Sequence, residues 1–258
     1  MSCLGTLIGA TIGMVLGGPI GAIAGAAFGS FATSFRGSGN GAGSTYSTMY
    51  NQRMRPTEHA QMTFFVGAFS MLGKLAAVDG QVSREERQKL NEFMNSDLNL
   101  DQQAKESATR IFDAAITSSE SFHSLANQFY REFRTQPQFF ELLIDMMLRI
   151  SAADSRGLTH DEETLIVDAV HIFRFSEARY QQLKSRYVQH TSSAYSVLGC
   201  AHSSSTDDIK RAYRKLVSEY HPDKIASKGL PEEFQQMAAG KFRDIQNAYD
   251  EVRKERGF

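Results

Sequence analysis

Between Leu4 and Phe35 the chain runs for 32 residues without one charged side chain, and glycine returns at every fourth position, at Gly5, Gly9, Gly13, Gly17, Gly21, Gly25 and Gly29. No other feature limits the fold so strongly. As one helix the run is about 48 Å long, more than the ~30 Å that a bilayer core needs, so a transmembrane segment is expected. A secretory signal peptide would want a positive n-region, and only the α-amino group is available, although Ala22-Ile23-Ala24 has the spacing of a cleavage site. Small residues four apart let two helix backbones approach in lipid, which points to a homodimer contact. Four residues turn an ideal helix by about 400°, so the stripe drifts by about 40° per step and one straight partner cannot follow all of it. Either a dimer uses part of the stripe, or the helix breaks at Gly17-Gly18-Pro19 and forms a short hairpin. The single span with a dimer contact is the preferred expectation. Arg36, Arg53 and Arg55 follow the run and no Lys or Arg precedes it, so the positive-inside rule places the C-terminal side in the cytoplasm.

From Arg36 onward charges of both signs mix. The formal net charge of −1 argues against a general nucleic-acid binder. Cys3 and Cys200 are the two cysteines; a disulfide between them is not expected, and the chain beyond the anchor fits a reducing compartment. Residues 1–35 form the expected anchor. Residues 36–56, rich in Gly, Ser, Thr and Asn, read as a flexible tether. From residue 57 to 190 the pattern is helical: Phe65, Phe69, Leu72 and Ala76 keep helical spacing, as do Phe129, Phe133, Phe140, Leu143, Ile144, Met147 and Ile150 within two adjoining segments. No strand alternation stands out, and the fold class is all-α.

A short internal repeat joins Lys74–Glu86 to Ile150–Glu162. Each copy ends a helix with small residues, then places Asp79 or Asp154, then a glycine turn with Val82 or Leu158. Each opens a new helix with a capping box, Ser83 to Glu86 and Thr159 to Glu162. This pattern resembles the TerB-like helical domain, over about 130 residues; the second copy carries one extra residue after its Asp and has Ser155 where the first has Gly80. Asp79, Glu86, Asp154 and Glu162 are candidate ligands for a divalent cation, which takes oxygen donors, although capping and turn chemistry explains all four without a metal.

The sharpest signal lies in residues 193–258. Ala194-Tyr-Ser-Val-Leu-Gly199 reads as a short helix closed by glycine. Ser205 or Thr206 caps a second helix, with Asp207 and Asp208 in its first turn. Ile209, Ala212, Tyr213, Leu216, Val217 and Tyr220 form its apolar stripe, and Lys210, Arg211, Arg214 and Lys215 fall away from that stripe as a basic patch. That helix is expected to stop at His221-Pro222-Asp223. After a loop, Pro231 opens a third helix with Phe234, Met237, Ala238, Phe242, Ile245, Tyr249 and Val252 as its buried stripe. The two long helices should pack as an antiparallel hairpin.

This arrangement resembles a J domain over the whole segment: YSVLG in helix one, KRAYRKL in helix two, HPDK at its end and KFRDIQNAYDEV in helix three. The family's fourth helix is shortened or missing. The resemblance implies that Lys210, Arg211, Arg214 and Lys215 dock on the acidic surface of a DnaK-type ATPase chaperone. It implies that His221, Pro222 and Asp223 bias that partner toward hydrolysis. Tyr213, Leu216, Phe242 and Ile245 are expected as structural core. With 11 Lys/Arg against 10 Asp/Glu in the segment, the basic patch is a local face and no nucleic-acid site is expected. An anchor, a TerB-like middle and a terminal J domain together resemble the DjlA type of bacterial inner-membrane co-chaperone. That order implies single-pass anchoring in the inner membrane with the bulk of the chain in the cytoplasm. It also implies a middle domain that recruits a client or senses an envelope stress signal. The stretch His190–Ser193 between middle and terminal domains is short and allows little freedom. No phosphate-cradling glycine loop, metal-spaced His pair or Ser/His/Asp arrangement is visible, so neither enzyme activity nor a cofactor is expected. The alternative is an oligomeric membrane scaffold or stress sensor whose TerB-like domain binds a partner or metal.

Overall fold

The computed structural model describes residues 16–34 (backbone alone from 29) and 55–258, apart from 81, 83, 153–156 and 189–193. The tether from 36 to 54, Ser83, Asp154 and the stretch His190–Ser193 lie outside the described residues. Every described element is a helix. Helix α1 spans Gly18–Ser34 and α2 spans Pro56–Ala76; α3 is Arg84–Glu92, continued by a π-helical turn at Phe93–Asp97. Then come α4, Gln102–Thr117; α5, Phe122–Phe133; α6, Pro137–Ser151; α7, His160–Ile172; and α8, Glu177–Val188. The C-terminal unit comprises α9, Ala194–Leu198; α10, Thr206–Glu219; α11, Pro222–Ser227; and α12, Glu232–Arg256.

Local chemistry sets the helix starts. Pro56 opens α2, and the Glu58 carboxylate accepts from the Arg55 N–H at 3.0 Å. The Asp101 carboxylate caps α4 by accepting from the Ala104 N–H at 2.8 Å, and Ser121 caps α5. At α7 the capping box is complete: Thr159 Oγ1 accepts from the Glu162 N–H at 3.3 Å, and Glu162 Oε2 accepts from the Thr159 N–H at 3.0 Å.

Helix α2 is the axis of the middle domain. Its residues are buried without interruption from Met62 to Gly73, which fits a helix that is apolar all round. Helices α1, α4, α5 and α6 pack about it. Phe64 sits in an aromatic cluster with centroids 5.5 Å from Phe129, 5.9 Å from Phe133 and 5.3 Å from Phe139, mostly in edge-to-face geometry. In the C-terminal unit α10 and α12 run antiparallel: Tyr213 stacks on Tyr249, and His221, further along, faces Phe242.

Three features depart from the sequence reading. The anchor run is broken at Gly17, where the alternative to one unbroken span put a break: Gly17 and Gly18 adopt left-handed backbone (φ 57° and 59°), and α1 lies against the middle domain, which neither expectation included. Among the described residues no helix is long and apolar enough to cross a membrane. The stretch after His221 is a short helix, α11, where a loop was expected: Pro222 occupies its first position and the His221 ring caps it. Phe234 faces the middle domain, with its ring 4.9 Å from Phe64, 6.2 Å from Phe65 and 6.3 Å from Phe69. The apolar stripe of α12 therefore changes partner along its length.

Candidate partner-docking site

The site is built on α10 and the turn that follows it. Ser205 Oγ accepts from the Asp208 N–H at 3.1 Å and fixes where α10 begins. From there Ile209 and Leu216 turn into the unit's core, while Tyr213 is half-buried and stacked on Tyr249 with centroids 3.9 Å apart. Ile245 is buried beneath them, and Phe242 is half-buried beside His221. The cations are left outside. Arg211 and Lys215 are about three-quarters exposed and make intrahelical pairs, with Asp208 at 3.1 Å and Glu219 at 4.0 Å. Exposed pairs of this kind contribute little to stability. Arg214 is exposed, and the Lys210 ammonium lies 4.9 Å over the Phe258 ring. The Ala212, Lys215 and Glu219 flank borders a cleft of about 540 Å³ against the middle domain.

Helix α10 ends at Tyr220, and the tip follows. His221 has extended backbone (φ −58°, ψ 129°), as the residue before proline must. Its Nδ1 accepts from the Asp223 N–H at 3.3 Å, so the neutral ring carries its proton on Nε2. Pro222 locks the first turn of α11. The His221 side chain is 47% exposed and that of Asp223 92%, so an imidazole donor and a carboxylate stand side by side at a solvent-facing corner. Lys224 donates to Ser218 Oγ at 2.6 Å and closes the corner from behind.

A buried charge cluster, which motif spacing did not reveal, holds the base of this tip. Glu141 of α6 receives Arg179 Nη2 at 3.0 Å and Lys241 Nζ at 3.2 Å. Lys241 also meets Asp145 at 3.4 Å, and Asp145 accepts from the Tyr187 hydroxyl at 2.9 Å. Burial alone would push the Glu141 carboxyl up, but Lys241 and Arg179 outweigh it and hold its pKa at about 2. Tyr220, next to the tip, is buried with Lys241 5.8 Å above its ring; burial first and Glu141 second push its phenol well above the ordinary value. Arg179 further donates to the Val197 and Ser196 carbonyls at 3.2 and 3.4 Å, which ties α8 to α9. Two carboxylates four residues apart, Glu141 and Asp145, on an otherwise apolar helix were the available sign of this cluster.

Of the candidate metal ligands, Asp154 lies outside the described residues. The Glu162 carboxylate is engaged in capping Thr159, Glu86 is buried, and Asp79 is exposed. Among the described residues no group of three or more His, Cys, Asp or Glu side chains is placed to hold a metal ion.

Three family profiles match the chain. The tellurite resistance protein TerB profile covers residues 66–185, the DnaJ domain profile residues 193–256, and the co-chaperone DjlA transmembrane domain profile residues 1–37. Among curated proteins, the co-chaperone protein DjlA of Coxiella burnetii is 30% identical over 228 residues, covering 82% of this chain and 84% of the relative. That of Vibrio cholerae is 33% identical over 231 residues, covering 76% and 79%. That of Shewanella oneidensis is 26% identical over 221 residues, covering 81% and 84%. No solved structure matches.

Proposed function

The chain belongs to the DjlA co-chaperone family, with a TerB domain, a J domain and a membrane-anchor domain, and on that premise we propose that it stimulates ATP hydrolysis by a DnaK-type chaperone through α10 and the His221-Pro222-Asp223 tip. The observation that carries this reading is the exposure of the tip. A packed J domain could have turned it inward against the middle domain, yet His221 and Asp223 face solvent while their base is held by Tyr220 and the Glu141 cluster. Lys210, Arg211, Arg214 and Lys215 supply a cationic approach to an acidic ATPase surface, which speeds encounter and fixes orientation. Pro222 and the Nδ1 cap preset the tip, so little ordering entropy is lost when the partner engages. Nothing in this action needs a covalent step, a metal or a cofactor. The protein acts by favouring one state of its partner.

The positive-inside pattern at Arg36, Arg53 and Arg55 supports an inner-membrane anchor that crosses once and leaves the bulk of the chain in the cytoplasm. The glycine stripe supports a homodimer contact between anchors in lipid. The middle domain then holds a client or a signal-bearing protein close to the chaperone that α10 recruits.

His221→Gln tests the reading. Stimulation of the partner's single-turnover ATPase should be lost while the thermal midpoint of the full chain is kept. Full stimulation by the folded variant would remove the tip from the mechanism.

A further inference from the structure

We infer that the groove between α2, α4 and α5 is a receptor for the second half of the anchor segment, and that groove and bilayer compete for this one helix. The seat is specific. The Gln128 side chain of α5 reads the broken backbone at the start of α1: Nε2 donates to the Gly17 carbonyl at 2.9 Å and the Leu16 carbonyl at 3.3 Å, while Oε1 accepts from the Ile20 N–H at 2.8 Å. A Cβ at Gly18 would stand 2.7 Å from Gln128 Oε1, so the amide reaches the backbone only because that position is glycine. Across the groove a Cβ at Gly67 of α2 would stand 2.8 Å from the Phe129 ring and 3.2 Å from Ile20 Cδ1, so Gly67 opens the space that Ile20 fills.

The faces of α1 are sorted to match. Leu16, just before the helix, and Ile20, Ile23, Ala24 and Phe28 are buried, whereas the outward positions Ala22 and Ala26 are small. A helix meant only for lipid gains from large apolar side chains all round; up to Phe28, the last described side chain, this one keeps its large residues for the groove and shows water little apolar surface. Yet the transmembrane profile covers residues 1–37, and so includes α1. Ile20, Ile23 and Phe28 cannot face lipid and groove together. Spanning the membrane therefore empties the groove and leaves Gln128 without its backbone partners, and docking withdraws the helix from the bilayer. The same small residues serve both states, since they spare apolar exposure in water and permit close helix approach in lipid.

The test uses the full chain with Cys3→Ser and Cys200→Ser, reconstituted in phosphatidylcholine–phosphatidylglycerol vesicles, with an environment-sensitive fluorophore on Ala22→Cys. That position faces water when α1 is docked. Doxyl-labelled lipids then report the fraction of chains whose helix lies in the bilayer. Gln128→Leu, which removes the backbone bonds, should raise the lipid-quenched fraction severalfold; Gly67→Val, which fills the Ile20 space, should do the same. Circular dichroism confirms that the middle domain stays folded, and Gln128→Leu alone suffices if Gly67→Val does not fold. Equal quenching in the parent and in Gln128→Leu, whether complete or absent, overturns the inference.

Discussion

Glu141 lies between Phe140 and Leu142 on a buried helix, where a lone carboxylate would be driven toward its protonated form. Arg179 and Lys241 reverse that, and the folded-state pKa falls from 4.5 to about 2. The folded protein thus holds this proton less tightly than the unfolded chain does. The resulting stabilisation is complete above about pH 4.5 and is lost as pH falls toward about 2; its size is on the order of 3 kcal/mol. Glu141→Gln at pH 7 would leave two buried cations facing a neutral amide, a change that costs about 3–5 kcal/mol when one partner of a buried pair is removed. Urea unfolding of parent and variant should therefore show a wide gap at neutral pH that narrows from about pH 5 toward about pH 2. A gap of constant width would show that shape, and not charge, makes Glu141 important.

At the scale of elements, the first turns of α12 have a double allegiance. Their sequence reads as one face of a J-domain hairpin, yet Phe234 is fully buried among the α2 phenylalanines, and Lys241 two turns on completes the charge cluster of α6. The preceding loop reaches α2 as well: Gly229 has φ 82°, and a Cβ there would lie 2.9 Å from the Ala60 Cβ. Phe234→Ala should cost about 3–5 kcal/mol, as truncating a buried phenylalanine does. Hydrogen exchange should then lose protection together at the start of α12 and in the first half of α2. Loss confined to α12 would mean the ring matters only within its own unit. Locally written features were legible from the sequence: the Thr159–Glu162 box, the Ser205 cap and the proline within the tip each depend on residues within one turn, and the stripe of α10 on the period of a single helix. The partners of Phe234 and Glu141 were not, because an apolar stripe says that a face is buried without saying against what. Lys241 and Glu141 are a hundred positions apart and meet only through the tertiary path. The glycine repeat was legible as a small-residue face, but the side-chain amide that reads it comes from α5.

Across the whole molecule, these contacts decide whether the tip stands on a tethered module or on a fixed platform. A unit of about 66 residues buries a smaller share of its surface by itself than a larger domain does and is marginal. Here it shares a core with the middle domain through Phe234, an ion cluster through Lys241, and backbone contacts through Arg179 and Gly229. The two units should then unfold as one. The chain has no tryptophan, so a single reporter can be placed in each: Tyr130→Trp beside Phe140 in the middle domain, and Tyr213→Trp on the Tyr249 stack in the C-terminal unit. In the otherwise unaltered chain both reporters should give the same denaturant midpoint, since coincident transitions mark a single cooperative unit. Adding Lys241→Met with Phe234→Ala should move the Tyr213→Trp midpoint to lower denaturant, ahead of the middle-domain one. Midpoints already apart in the unaltered chain would show that the platform does not hold and that His221 is presented on a moving arm. Coincidence would mean that a partner engaging His221 meets it at one fixed position relative to the middle domain, so that a protein held there is presented to the chaperone in a constant geometry.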